Sequence, residues 1–130
     1  NYIEIHFMDT QQCLNIKANK IEIKQVFLNI IKNSFEAMPA GGKLQITTKQ
    51  TNKAGADFLE VTFHDTGKGI QDDEIKNIFL PFYSTKAGKK DNLGLGLSVS
   101  YGIIKKYKGE ISVQKIKHSG TEFLVRLPLA

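Results

Sequence analysis

Apolar residues along this chain switch between a spacing of two and a spacing of three to four, and the order of those switches constrains the fold more than any other feature. Residues 2–8 alternate, with Ile3, Ile5 and Phe7 on one side, as a half-buried strand does. Residues 13–18 read as a second short strand. Asn19 then suits a helix N-cap, and Glu22 stands three residues on, at capping-box spacing. Ile23, Val26, Phe27, Ile30, Ile31 and Ala37 follow at helical intervals until Pro39, Gly41 and Gly42 stop the helix. Alternation returns over 43–50 and 58–64, with a turn expected over 51–56. A short helix is expected over 72–79, an irregular stretch over 80–93 and a helix over 95–107. Two strands over 110–116 and 122–127 share a turn at 118–120. The order β-β-α-β-β-α-loop-α-β-β predicts an α+β two-layer sandwich, with three helices packed on one face of a mixed, mainly antiparallel sheet.

A chain of 130 residues fits one domain, 1–130, and one core. It opens on Asn1 without a methionine and runs straight into a strand pattern, so it reads as a piece of a longer parent. No apolar run is long enough to span a bilayer. The expected location is the cytoplasm, with an anchor in the parent left open. Cys13 is the single cysteine, so an internal disulfide is excluded. A reactive thiol and a buried apolar filler are both open for it, and the surroundings in sequence favour the filler. The formal charge is +5, from eighteen basic and thirteen acidic residues. The lysines are spread out, with no aromatic-interleaved stripe, which argues against nucleic acid and for a solvated surface with some lysines near a polyphosphate.

Three short patterns carry chemistry. Asn29 and Asn33 lie four apart, on one face of the first long helix. A carboxamide oxygen is a hard ligand that suits Mg²⁺, although two surface asparagines are the plainer reading of the pair alone. Asp65, Thr66, Gly67, Lys68 and Gly69 follow a strand directly. Glycine there permits positive φ and a close approach of backbone to ligand, and a strand-end carboxylate suits an exocyclic amine such as that of adenine. An ordinary turn has the same composition. Asn92, Leu93, Gly94, Leu95, Gly96, Leu97 and Ser98 lead from the irregular stretch into a helix, where free backbone amides suit phosphate. Neither the Walker A ending nor the dinucleotide glycine spacing is present.

In this order the patterns resemble the ATPase family shared by bacterial histidine kinases, gyrase, a mismatch-repair protein and the large heat-shock chaperone. Residues 25–38 look like its asparagine box and residues 65–69 like its first glycine box. Residues 78–86, with Phe79 and Phe82, resemble the phenylalanine box of histidine kinases. Residues 92–97 resemble the second glycine box, with Asn92 where glycine often stands. Gly120, Thr121, Glu122 and Phe123 resemble the last strand. The resemblance implies a Bergerat-type ATP-binding fold with ATP and Mg²⁺ as cofactors. It implies Asn33 on Mg²⁺, Asn29 beside the phosphates as its catalytic partner, and Asp65 on the adenine amine supported by Thr121. Gly67, Gly69 and Ile70 would shape the adenine floor. Gly94, Leu95, Gly96 and Leu97 would offer amides to phosphate, and Lys32, Thr85 and Lys86 would also contact the nucleotide. Phe79 and Phe82 would anchor a flexible lid over about 80–93.

Hydrolytic relatives carry a glutamate one helical turn before the Mg²⁺-binding asparagine, as general base. Here Asn29 holds that position, and a carboxamide accepts no proton at neutral pH. The expected activity is therefore transfer of the γ-phosphate to a histidine in two-component signalling, since such transfer needs chiefly positioning and charge neutralisation. His6, His64 and His118 lack the helical acidic neighbour of an acceptor, so the accepting histidine is expected on a dimerisation domain of the same parent, upstream of Asn1. A response regulator would be an indirect partner, and the piece itself is expected to be monomeric. An anti-sigma-type serine kinase and a non-catalytic nucleotide-sensing module are the alternatives.

Overall fold

The computed structural model describes residues 2–9, 13–81, 96–117 and 119–130. Its elements are β1 (Ile3–Met8), α1 (Lys20–Glu36), β2 (Gly42–Lys53), β3 (Ala56–Asp65), α2 (Asp72–Asn77), α3 (Gly96–Lys106), β4 (Glu110–Lys115) and β5 (Thr121–Pro128). The sheet runs in the order β1-β2-β3-β5-β4. β1 and β2 are parallel, which requires a crossover, and α1 supplies it. The remaining pairs are antiparallel. The expected α+β sandwich with a mixed sheet is what forms.

Strand alternation decides which face the helices cover. On β5, Thr121, Phe123, Val125 and Leu127 are buried while their neighbours are half-exposed. β3 contributes Val61, Phe63 and Asp65 to the same side, and β2 contributes Leu44. Ile23, Val26 and Ile30 of α1 and Ile103 and Ile104 of α3 close that core. The opposite face carries charge. Glu60 accepts from Arg126 at 2.9 Å, Arg126 also reaches Glu110 at 3.1 Å, and Lys53 meets Glu110 at 3.1 Å. A face laced with ion pairs offers little apolar surface to bury, and no described helix covers it.

Three local expectations change. Residues 13–18 form no strand; Ile16 makes a single bridge to Leu129, and Ile16 and Ala18 rest against the core. Two apolar contacts anchor such a segment without a ladder. The turn expected over 51–56 shrinks to Ala54 and Gly55, with φ of 53° and 84°, so β2 and β3 run on as one long hairpin. Two successive positive φ values are those of a type I′ turn, whose twist matches that of the strands. Its polar flanks look like loop in sequence, but Asn52 donates to Asp57 across it at 2.9 Å. Cys13 is exposed, not buried filler.

The α1 N-terminus is also built differently from its sequence signature. Asn19 Oδ1 accepts from the Ile21 and Glu22 amides at 2.8 and 3.2 Å, as an N-cap does. Glu22 does not turn back to the Asn19 amide. That amide donates to the Tyr107 hydroxyl at 3.0 Å, and the hydroxyl donates in turn to the Glu22 carboxylate. The box is thus closed through a residue just beyond α3, with Lys106 bonding the same carboxylate at 3.0 Å. Tyr107 and then Lys106 hold the Glu22 carboxyl below its ordinary value.

Candidate nucleotide site

The end of β3 meets the C-terminal turn of α1 at the sheet edge of the core. Asp65, the last residue of β3, is 1% exposed. Register places it opposite Leu44 on one side and Thr121 on the other, so the sheet fixes its backbone from both flanks. Its Oδ1 accepts from the Gly67 amide at 2.9 Å. Burial pushes its carboxyl above the ordinary carboxylate value. The Gly67 and Thr121 amides, the Ser34 hydroxyl and the charge of His64 act in the opposite direction. The upward direction thus comes from desolvation, which outweighs the hydrogen bonds.

The turn after Asp65 packs against α1 so closely that only glycine fits. A Cβ on Gly67 would lie 2.5 Å from the Ala37 carbonyl oxygen. That contact lets Lys68 donate its amide to the same oxygen at 3.1 Å. Ser119 adds a bond to the Gly67 carbonyl at 2.8 Å, so the β4–β5 turn also clamps this segment. Gly69 follows at φ 82°, a left-handed conformation that turns the chain toward α2.

A cleft opens beside this turn, with about 360 Å³ of empty volume including its open mouth. Asn33, Gly69, Ile70 and Thr121 line it, as the sequence reading expects. Ala37, Lys68 and Ile78, which fall within the recognised boxes without an assigned role, also line it, as does Glu74, which lies outside them. The cleft therefore joins a carboxamide on α1, a glycine turn and the start of β5, which lie far apart in sequence.

Asn29 sits one turn before Asn33 and reaches α3. Its side-chain amide donates to the Gly96 carbonyl at 3.0 Å and to Ser100 Oγ at 3.1 Å. Ser100 is fully buried and itself donates to the Gly96 carbonyl at 2.8 Å. Asn29 thus ties α1 to the first turn of α3 through its amide nitrogen. Leu97 packs against the core from that same turn. Lys32 is exposed and is not among the residues lining the cleft. Phe79 meets Phe123 edge-on at 6.4 Å and Tyr101 at 5.6 Å, so it is seated on the core. Phe82, Thr85, Lys86, Gly94 and Leu95, with most of the stretch expected as a lid, lie outside the described residues. His6 is exposed beside Glu4 at 3.2 Å, and His64 lies on the strand of Asp65. Among the described residues no cluster of His, Cys, Asp and Glu could hold a metal ion, and no helix is long and apolar enough to cross a membrane.

Residues 18–130 match the model of the histidine kinase-, DNA gyrase B- and HSP90-like ATPase family. Sporulation kinase C of Bacillus subtilis is 39% identical over 98% of the chain, which spans 28% of that protein's length. The nucleotide-free catalytic domain of the histidine kinase ThkA superposes with a TM-score of 0.82 at 29% identity, covering 97% of this chain and 80% of that one. Full-length ShkA in complex with AMPPNP gives a TM-score of 0.81 at 26% identity, covering 98% of this chain and 26% of that one. The chain belongs to the histidine kinase-, DNA gyrase B- and HSP90-like ATPase family, in the form carried by sensor histidine kinases.

Proposed function

We propose that the cleft binds Mg²⁺-ATP and that the domain passes the γ-phosphate to a histidine on a separate dimerisation domain of its parent protein. The observation that carries this reading is the buried Asp65 carboxylate, paired in register with Thr121, which lines the cleft together with Asn33. Its donor set fits the ligand. An acceptor fixed by two neighbouring strands suits the exocyclic amine of adenine, and a glycine turn beside it leaves room for a flat ring. Thr121 supports Asp65 from β5, with Gly67, Gly69 and Ile70 forming the adjoining wall. Asn33 offers a neutral oxygen, the type of ligand Mg²⁺ takes when phosphate oxygens and waters supply the rest. The bound metal nucleotide supplies an activated phosphoryl group whose charge is already partly neutralised. The protein contributes position. Asn29 fixes the α3 terminus, where first-turn amides such as those of Gly96 and Leu97 are the type of donor that phosphate takes.

A carboxamide at position 29 offers no base to an attacking water, which favours transfer to a ready nucleophile over hydrolysis. An imidazole is such a nucleophile. His6 and His64 stand on strands, and His118 lies outside the described residues; in this reading the acceptor belongs to another domain and a response regulator to a later step.

Titration calorimetry with ATP and Mg²⁺ tests the binding reading. The parent chain is expected to bind with Mg²⁺ dependence, and Asn33→Ala to lose that dependence. No heat from the parent at millimolar nucleotide defeats the proposal. Incubation with γ-labelled ATP and a histidine-bearing dimerisation domain tests transfer. Label that is acid-labile and stays on that domain supports a histidine acceptor, whereas acid-stable label points to a serine kinase.

A further inference from the structure

β1 stands at the edge of the sheet and, among the described residues, only β2 pairs with it. Such an edge presents a row of unpaired amides and carbonyls to any strand that matches it. Ile5 lies in register with buried Leu44, so Ile3, Ile5 and Phe7 share the face on which the helices pack. The core reaches Ile3, but Ile5 and Phe7 remain 55% and 62% exposed. On the other face Glu4 and His6 meet each other at 3.2 Å, between exposed Tyr2 and Met8. The backbone shows which groups point outward. Gly42 donates its amide to the Tyr2 carbonyl, so in this register the even residues of β1 turn their amides and carbonyls to β2. Ile3, Ile5 and Phe7 turn theirs away from the sheet.

An edge whose outward groups sit on odd residues can meet a copy of itself in few ways. In an antiparallel pair, the residues that exchange both backbone bonds must then be odd on both strands. Three such registers keep most of the strand in contact. Ile3 opposite Ile5 sets Glu4 against Glu4. Ile5 opposite Phe7 sets His6 against His6. Ile5 opposite Ile5 instead sets Glu4 against His6 twice and Ile3 against Phe7 twice. The Glu4–His6 pairs then fall at the non-hydrogen-bonded positions, where side chains lie closest. His6 has a ring N–H to offer in either protonation state. We propose that β1 is a self-association edge: two copies of this chain pair β1 with β1, antiparallel about Ile5, and join their sheets across a two-fold axis. The occupant is a second copy because charge and apolar pattern complement themselves in this register and clash in its neighbours. The inference stands apart from the nucleotide reading. Six-residue strands bury less than the ~1,200 Å² of stable interfaces, so association is expected at roughly 0.1–1 mM chain. In a parent that holds two such domains close together, effective concentration reaches that range.

Sedimentation equilibrium of the whole chain, from about 0.02 to about 1 mM, tests the association. The mass is expected to rise from 14.5 kDa toward twice that value. A mass that stays at 14.5 kDa to the top of the range overturns the proposal. Ile5→Pro removes an outward amide without touching the bonds to β2, and is expected to abolish the rise. His6→Glu sets like charges opposite each other and is expected to weaken association roughly 5-fold or more. Adding Glu4→His to it swaps the charges, restores opposite pairs and is expected to recover the parent value. Association that survives Ile5→Pro, or a swap no better than His6→Glu alone, assigns the contact to another surface. Register is read by disulfide formation in a Cys13→Ser background. Position 5 faces itself across the axis at about 5.5 Å between Cα atoms, within disulfide reach. Ile5→Cys is therefore expected to crosslink under mild oxidation and Phe7→Cys is not; equal crosslinking refutes the two-fold at Ile5. Thermal scans of dilute samples report folding of each variant. The charge and cysteine variants sit at exposed positions, so they decide the matter even where Ile5→Pro fails to fold.

Discussion

Asp65 sets recognition against stability within one side chain. Its folded-state pKa lies above the ordinary value because burial outweighs its hydrogen bonds. For an acid shifted upward, the native state holds its proton more tightly than the unfolded state does. Stability therefore falls as pH rises through the interval between the unfolded and folded values, and stays lowered at neutral pH. Asparagine keeps the shape and the acceptor for the Gly67 amide while avoiding the buried charge. Asp65→Asn is accordingly expected to unfold at an equal or higher temperature than the parent at pH 7, with the difference shrinking toward pH 4. The same variant is expected to lose at least tenfold in ATP affinity, since an amine then meets an amide whose nitrogen cannot accept. Thermal scans at pH 4 and 7 together with calorimetry check both halves. Lower stability at neutral pH would show that the hydrogen bonds, not burial, dominate at this site.

At the scale of single elements, the β2–β3 hairpin and the start of α1 each carry a testable detail. Ala54 occupies a left-handed conformation, φ 53°, that a side chain with Cβ resists. Asparagine tolerates it better and precedes glycine in the preferred type I′ pair. Ala54→Asn is expected to stabilise the fold by about 0.5–1 kcal/mol and to raise Tm by about 2–4 °C, read by calorimetric scanning. At α1, Glu22 is held below its ordinary value by Tyr107 and Lys106. A carboxyl shifted downward contributes stability above its unfolded pKa and loses it as pH falls through the folded one. The urea-midpoint difference between the parent and Glu22→Gln should thus be steady from pH 7 to about 5 and close below about 4. The sequence showed Asn19 and Glu22 as a cap because that signal is local. Tyr107 stands 85 residues from Glu22, and nothing in spacing reveals a hydroxyl arriving from the turn after α3. Ala54 was hidden for the opposite reason: strand-end residues of an exposed hairpin are polar on both faces, so alternation fades before the ladder does.

For the molecule as a whole, the site was legible wherever a residue type is demanded by backbone geometry or ligand chemistry. Gly67 cannot carry a Cβ, Asp65 ends a strand, and Asn33 repeats Asn29 one turn later; each leaves a mark in sequence. Glu74 leaves none, because a glutamate in a short helix has many uses. Asn29 joins the two levels, since it ties α1 to α3 across 67 residues through Gly96 and stands one turn before Asn33, which lines the cleft. Ligand that binds only the native state raises stability by RT ln(1 + [L]/Kd), about 2.7 kcal/mol at one hundred times Kd. Two substitutions at position 29 separate its tasks. Asn29→Ala removes the bonds to Gly96 and Ser100, so the unliganded chain is expected to melt lower and the upward shift with Mg²⁺-ATP to shrink. Asn29→Asp also removes the donor, and in addition sets a negative charge beside the Gly96 carbonyl and the phosphates. Its shift is expected to be the smaller of the two at low salt and to recover partly at 0.5 M salt, as screening weakens the repulsion. Equal shifts for Asn29→Asp and Asn29→Ala at every salt concentration would mean that position 29 acts only as the clamp between helices and lies away from the phosphates.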